Sequence, residues 1–174
     1  MTSILKVSEI QDPTNPNTAL TIDTSGRMTA PNQTRFYGTK ASDQTITRGN
    51  TTKITGFTNN EIDTSSAFDG TTFTAPVAGD YYLFGQVFIN FTPAGNDGET
   101  ATFFLYINGT EKVRDIFRNE TTRDMDDITL GSSIIATLAV GDTVEVYSYT
   151  ADNNGGNAQI LGHVGSNFGG YLLG

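Results

Sequence analysis

Hydrophobic positions along this chain recur at every second residue rather than at helical spacing. Alternating runs occupy Thr34–Lys40, Thr51–Phe57, Thr72–Ala75, Asp80–Asn90, Ala101–Asn108, Lys112–Arg118, Ile128–Ala139, Thr143–Thr150, Ala158–Val164 and Phe168–Leu173. Between them stand APVAGD, TPAGNDGET, NGT, AVGD and ADNNGGN, rich in the residues that tight turns require. About ten short strands at this spacing predict an all-β sandwich or jelly roll. The last run, FGGYLLG, is expected to be a strand of the sandwich, with Phe168, Tyr171 and Leu173 as its anchors.

Two strands are apolar on both faces. In DYYLFGQVFIN one face carries Tyr81, Leu83, Val87 and Ile89, and the other Tyr82, Phe84 and Phe88. In ATFFLYIN the faces are Phe103, Leu105 and Ile107 against Phe104 and Tyr106. An antiparallel sandwich strand usually has one polar face. Either a further segment of the chain or another subunit is therefore expected to cover the second face, the subunit being favoured. Tyr82, Phe84, Phe88, Phe104, Tyr106 and Tyr171 are the candidate subunit contacts.

The first thirty residues read differently. An apolar patch of Ile4, Leu5, Val7 and Ile10 is followed by Asp, Pro, Asn and Thr, then by a strand-like Ala19–Ile22. With Pro13, Pro16 and Pro31 this stretch predicts an extended arm over residues 1–32, ahead of a body spanning residues 33–174. Ile4, Leu5, Val7 and Ile10 suit addition to a neighbouring sheet edge, where main-chain hydrogen bonds give affinity and alternate side chains fill pockets. The other course for the arm is to fold back along its own assembly.

Composition sharpens this picture. The 28 Thr, 14 Asn and 19 Gly favour pleated, half-wet surfaces and tight turns. Net charge is −9, made of +1 over residues 1–50 and −10 over residues 51–174. So acidic a body repels phosphate backbones and anionic headgroups, which argues against nucleic acid and membrane as partners. No apolar run is long enough to span a bilayer, and no signal peptide is evident.

Candidate chemistry is sparse. Absence of Cys excludes disulfides and thiolate sites, and the single histidine, His163, makes a triad or a His-based zinc site untenable within one chain. Read as a strand histidine, His163 suits a structural or interface role. Glu120, Asp124, Asp126 and Asp127 lie close together, with Asp97 and Glu99 nearby. They lack EF-hand spacing, so a solvated acidic loop is expected over a calcium site. Paired carboxylates of a glycosidase are a weaker reading still. The chain is thus expected to be non-enzymatic, with no cofactor, no metal and no catalytic residue.

Four phrases in order carry a family resemblance: FTAPVAGDYYLF, FFLYINGT, LAVGDTVEVY and FGGYLLG. They resemble the turn and strand phrases of the C1q-like, tumour-necrosis-factor-like jelly roll, over residues 57–174. The resemblance implies a homotrimer, which would cover the doubly apolar strands. Separately, ILKVSEIQDPTNPNTALTIDTSGRM is similar to N-terminal segments of structural proteins from tailed bacteriophages, particularly those of marine cyanobacteria. That likeness implies a location on the virion and an arm docked on the major capsid protein or another virion protein. Two positions follow: a capsid decoration or cement protein, which the short chain favours, or a short tail fibre or receptor-binding tip that recognises a host glycan. A sugar-binding module would present the loops at Asn96–Thr100 and Asp152–Asn157.

Overall fold

The computed structural model describes residues 7–11, 13–14, 18–91, 99–119, 126–151 and 156–173. Their elements are strands: β1 (Glu9–Gln11), β2 (Thr18–Ile22), β3 (Met28–Thr29), β4 (Arg35–Thr39), β5 (Gln44–Ile46), β6 (Thr52–Lys53), β7 (Asn59–Asp63), β8 (Thr72–Thr74), β9 (Gly79–Asn90), β10 (Thr100–Ile107), β11 (Thr110–Arg118), β12 (Asp127–Leu138), β13 (Thr143–Ala151), β14 (Ala158–Ile160) and β15 (Asn167–Leu172). No helix occurs among the described residues.

Two sheets enclose one core. The larger has β9 as its spine: one edge pairs with β12 over the whole strand, the other with β15 and then β14. Beyond β15 lie β4 and β7, and beyond β14 lies β5. The smaller runs β11-β10-β13-β6, with β8 also on β13. Strict alternation in β9 sends Tyr81, Leu83, Val87 and Ile89 inward, all fully buried, to meet Phe103, Leu105, Val144 and Val146. At one end Phe36 stacks on Phe73 at 4.1 Å, and Phe168 sets its edge against Phe36 at 5.0 Å. Each such side chain contributes roughly 1.5–3 kcal/mol on burial.

The predicted strands are present with shifted limits. Asn108 and Gly109, at φ 52° and 71°, close the β10–β11 hairpin with both central residues left-handed, as the primed two-residue turn demands. Thr51–Phe57 keeps ladder pairing only at Thr52–Lys53, and Ala158–Val164 only to Ile160. His163 consequently lies in a turn and not in a strand, because Gly162 N donates to Asp43 Oδ1 at 2.7 Å and pulls the chain off the ladder. Of the anchors expected in the last strand, Phe168 is fully buried, whereas Tyr171 and Leu173 are exposed. Alternation explains the difference for Tyr171, since Phe168 and Gly170 share the inward face and Tyr171 points out.

The described residues between 7 and 29 stand apart from the core. Instead of continuing as one extended strand, β1, β2 and β3 pair antiparallel as a small sheet of their own. None of their side chains joins the core, and Val7, Ile10 and Met28 are exposed. Asn32 Nδ2 donates to Thr18 O, and Gln33 Nε2 to Leu172 O, at the junction with the body.

Candidate functional site

The outward face of the larger sheet is built from side chains that alternate against its core. Register places Tyr171 and Ile135 on either side of Tyr82, and Gly169 beside Phe84. Tyr37 follows across Gly169, and Ile62 across Tyr37. The rings form a continuous row: Tyr171–Tyr82 5.5 Å, Tyr82–Phe84 5.8 Å, Phe84–Tyr37 6.3 Å between centroids. Gly169 makes this row possible. A Cβ there would sit 2.7 Å from the Phe84 ring and 3.1 Å from the Tyr37 ring, so both rings lie across bare backbone. The charged cross-strand partner on the row is Arg35, opposite Tyr171, and the flanks stay open: Ile135 is 63% exposed, Ile62 47% and Tyr171 42%.

The outward face of the smaller sheet is also aromatic, and charged side chains stand among its half-buried rings. Tyr106 stacks on Tyr147 at 4.4 Å, and Phe104 meets Tyr106 edge-on at 5.9 Å. Arg114 lies 5.6 Å above the Phe104 ring while its guanidinium grips Glu111 through two hydrogen bonds of 2.6 and 2.8 Å. Phe104 is thereby only 7% exposed. Beside the rings Lys53 Nζ donates to Glu145 Oε1 at 2.6 Å, and the Tyr147 hydroxyl donates to Glu145 Oε2 at 3.1 Å. Burial alone would raise the Glu145 carboxyl, but Lys53, with Tyr147 and Thr72, holds it below its ordinary value. Burial pushes the Tyr147 hydroxyl up, and the Glu145 charge adds to that.

The six residues predicted to meet a second subunit are therefore divided between opposite faces. Tyr82, Phe84, Phe88 and Tyr171 face outward from the larger sheet; Phe104 and Tyr106 face outward from the smaller. Phe88 stands along the same strand from the ring row and takes the His163 ring edge-on at 5.7 Å. In the N-terminal segment Val7 and Ile10 are exposed, while Ile4 and Leu5 lie outside the described residues. Of the acidic loop, Asp126 and Asp127 are described and exposed, and Asp127 accepts from Asn90 Nδ2 at 2.7 Å. Glu120 and Asp124 lie outside the described residues, as do Asn96–Gly98 and Asp152–Gly155 of the proposed sugar loops. No group of three or more carboxylate or imidazole ligands converges among the described residues.

One feature had no signal in the sequence. A cavity of about 360 Å³ opens between the end of β4 and the turn after β14, lined by Thr39, Lys40, Asn59, Gly162, His163 and Val164. Lys40 is 3% exposed, and a lone lysine at a strand end reads as a solvated side chain.

Comparison with known proteins identifies the architecture. No protein-family model matches the chain, and no curated protein matches its sequence. Solved structures do match. Eiger TNF from S. frugiperda superposes with a TM-score of 0.58 at 12% identity, over 82% of this chain and 92% of that one. The globular domain of zebrafish complement 1qA gives 0.52 at 18%, over 82% and 98%. Murine APRIL gives 0.55 at 13%, over 81% and 99%. The chain thus has a TNF/C1q-like jelly-roll fold.

Proposed function

We propose that the protein is a non-enzymatic structural component of a bacteriophage particle: a homotrimer of jelly-roll bodies docked by the N-terminal segment, serving as a capsid decoration or cement protein. The observation that carries the trimer is the outward aromatic row Tyr171–Tyr82–Phe84–Tyr37, with exposed Tyr171 in it and exposed Ile135 and Ile62 flanking it. Leaving such a patch in water is unfavourable, at about 25 cal/mol per Å² of apolar surface. On the smaller sheet Phe104 is already covered, at 7% exposure, and Arg114 lies over its ring. Three bodies packed through the larger sheet would bury the row and leave the acidic remainder of each surface outward. Residues 7–29 support the docking role, because a small sheet with exposed Val7, Ile10 and Met28 contributes nothing to the core. The phage setting is supported by the likeness of residues 4–28 to N-terminal segments of virion proteins.

One observation favours a second position, the receptor-binding tip of a short tail fibre: the polar cavity beside Lys40 has the volume of a small-ligand pocket. Light scattering at micromolar concentration tests the assembly, with a trimeric mass expected and a folded monomer defeating it. Imaging the intact particle then separates the positions. Hundreds of copies mean decoration; a handful of trimers at the tail mean a tip.

A further inference from the structure

We infer that Asn108 is a spontaneous modification site, an Asn-Gly step prone to deamidation, whose carboxamide the β12–β13 turn holds shut through Asp142 and Thr143. The chemistry is open in the chain itself. Deprotonated Gly109 N attacks Asn108 Cγ, the new C–N bond closes a five-membered imide, and the Cγ–Nδ2 bond breaks to release ammonia. Water then opens the ring at either carbonyl and leaves aspartate or isoaspartate. Water is taken up, ammonia is lost, and no atom changes oxidation state. Glycine after the asparagine leaves the attacking nitrogen uncrowded, and a Cβ built on Gly109 would meet nothing within 4 Å. Neighbouring atoms therefore do not block the attack.

Two features of the structure do. Asn108 sits in the left-handed region, at φ 52°, inside the closed β10–β11 turn. In that region the following nitrogen stands anti to Cβ, so the imide ring cannot close until the turn opens. The carboxamide is also tied at both of its polar atoms. Asn108 Nδ2 donates to Asp142 Oδ1 at 2.8 Å, and Asn108 Oδ1 accepts from Thr143 N at 2.9 Å. Asp142 is itself fixed, since its Oδ2 accepts from Ala139 N at 2.8 Å. The hydrogen bond from Asn108, and after it the one from Ala139, holds the Asp142 carboxyl below its ordinary value, as a charge-assisted contact does. Thr143 N alone would polarise Cγ toward attack. The Asp142 charge opposes negative charge growing on Oδ1, and the two ties together keep the carboxamide on the β12–β13 turn.

Conversion would undo what holds it back. Aspartate at position 108 has no donor for Asp142 and sets two carboxylates face to face. Isoaspartate adds a methylene to the main chain of a two-residue turn. The site lies at the end of the body where the chain enters from residues 30–34. There Ala75 N donates to Asp142 O at 2.8 Å, Leu173 N to Asp80 O at 2.7 Å and Leu172 N to Thr34 O at 2.9 Å.

The test incubates the full chain at pH 8 and 37 °C, folded and unfolded in guanidinium chloride. Mass spectrometry then follows the tryptic peptide 54–112, in which Asn108–Gly109 is the single Asn-Gly step. The folded chain should convert at least about tenfold more slowly than the unfolded one, because attack waits on local opening of the turn. Asp142→Ala should speed the folded chain about three- to tenfold, the worth of a charge-assisted hydrogen bond at an exposed turn. Asp142→Asn keeps an acceptor without the charge, so its rate should fall between those of the parent and Asp142→Ala, and it reads the same contact if the alanine variant does not fold. Asp69→Ala removes a carboxylate that accepts from Thr71 N and Thr72 N in a different turn, and it should convert at the parental rate. The inference is overturned if folded and unfolded chains convert alike, if neither Asp142 variant outpaces the parent, or if Asp69→Ala speeds residue 108 as much. The readout needs neither a trimer nor a particle, so it stands or falls apart from the proposed function.

Discussion

Two sheet faces of this molecule carry similar numbers of outward aromatic rings and differ in what stands next to them. On the larger sheet Tyr82 has Ile135 and Tyr171 as cross-strand neighbours, and Phe84 has Ser133 and Gly169. On the smaller sheet Phe104 has Arg114 and Tyr147, and Tyr106 has Glu111 and Glu145. Arg114 roofs Phe104 in the second set, since an arginine stem and fork can cover a ring and still reach water, whereas on the larger sheet the one arginine, Arg35, stands opposite the end ring Tyr171. Ile and Gly cannot do so. Aromatic content along a strand therefore does not mark an interface by itself; the cross-strand partner decides whether the face is finished or open.

The sharpest way to break this comparison uses two exposed isoleucines. Ile135 lies on the open face and is 63% exposed; Ile116 lies on the closed face, opposite Thr102, and is 42% exposed. Neither holds the core together, so Asp at either position should leave the body folded. Ile135→Asp places an unpaired charge in the proposed contact of every protomer, at a cost of several kcal/mol each. Its mass by light scattering should fall to that of a monomer at micromolar concentration, while Ile116→Asp keeps the parental mass. Equal behaviour of the two variants would erase the distinction between the faces.

Next in size is Phe104→Ala. A core Phe→Ala change costs about 3–5 kcal/mol. Phe104 is roofed by Arg114 and by rings that can settle into the gap, so the loss should be about 2–3 kcal/mol by denaturant titration. Phe84→Ala, on the open face, should cost an isolated body less than Phe104→Ala does, yet weaken the trimer more. Reversal of that order would show that the smaller sheet holds the subunit contact.

Smaller again is the effect of Glu145→Gln. The carboxyl is held below its ordinary value of 4.5 chiefly through Lys53, against the opposing influence of burial. A group with a depressed folded value contributes stability above its unfolded value and loses it as pH falls through the folded one. At pH 7 the substitution should therefore cost about 0.5–1 kcal/mol, the discounted figure for a pair whose side chains are 32% and 15% exposed. Below pH 4.5 the parent should lose that advantage and the two stability curves should converge. Curves that stay parallel through the acid limb would show that Lys53 and Glu145 are not coupled in solution.

Much of this arrangement was legible along the chain. Strict alternation in DYYLFGQVFIN gives the two faces of β9 directly, and Asn-Gly marks the β10–β11 turn. Two strands of the body were not legible. Gln44–Ile46 is three residues long and shows one buried apolar side chain, and Asn59–Asp63 is polar apart from Ile62. Both are edge strands held by pairing and not by an apolar pattern of their own. Nor could sequence say which aromatic rings would be roofed. Tyr82 and Tyr171 are 89 positions apart, and only the ladder between β9 and β15 makes them neighbours. The Lys40 cavity is hidden for the same reason, because Asn59 and His163 reach it from distant parts of the chain.

The smallest expected effect on the body comes from the largest deletion. Removing residues 1–30 takes away β1, β2 and β3, which pair only with one another and place no side chain in the core. The junction contacts Gln33 to Leu172 and Thr64 to Gln33 survive the cut. The midpoint of thermal unfolding should therefore shift by no more than about 2 °C, the equivalent of about 0.5–1 kcal/mol in a domain of this size. Docking is where the deletion should tell. Three segments per trimer multiply a modest affinity through avidity. The truncated trimer should consequently fail to bind particles that lack the native protein, and Leu5→Asp with Val7→Asp should reproduce the failure by setting charge into an apolar contact. Salt should matter little to the parent's binding, since the segment's Ile4, Leu5, Val7 and Ile10 are apolar and the remaining contacts would be main-chain. A truncated trimer that re-binds such particles as well as the full chain would move the docking surface onto the body, and the closed, charged face of the smaller sheet would then be the place to look.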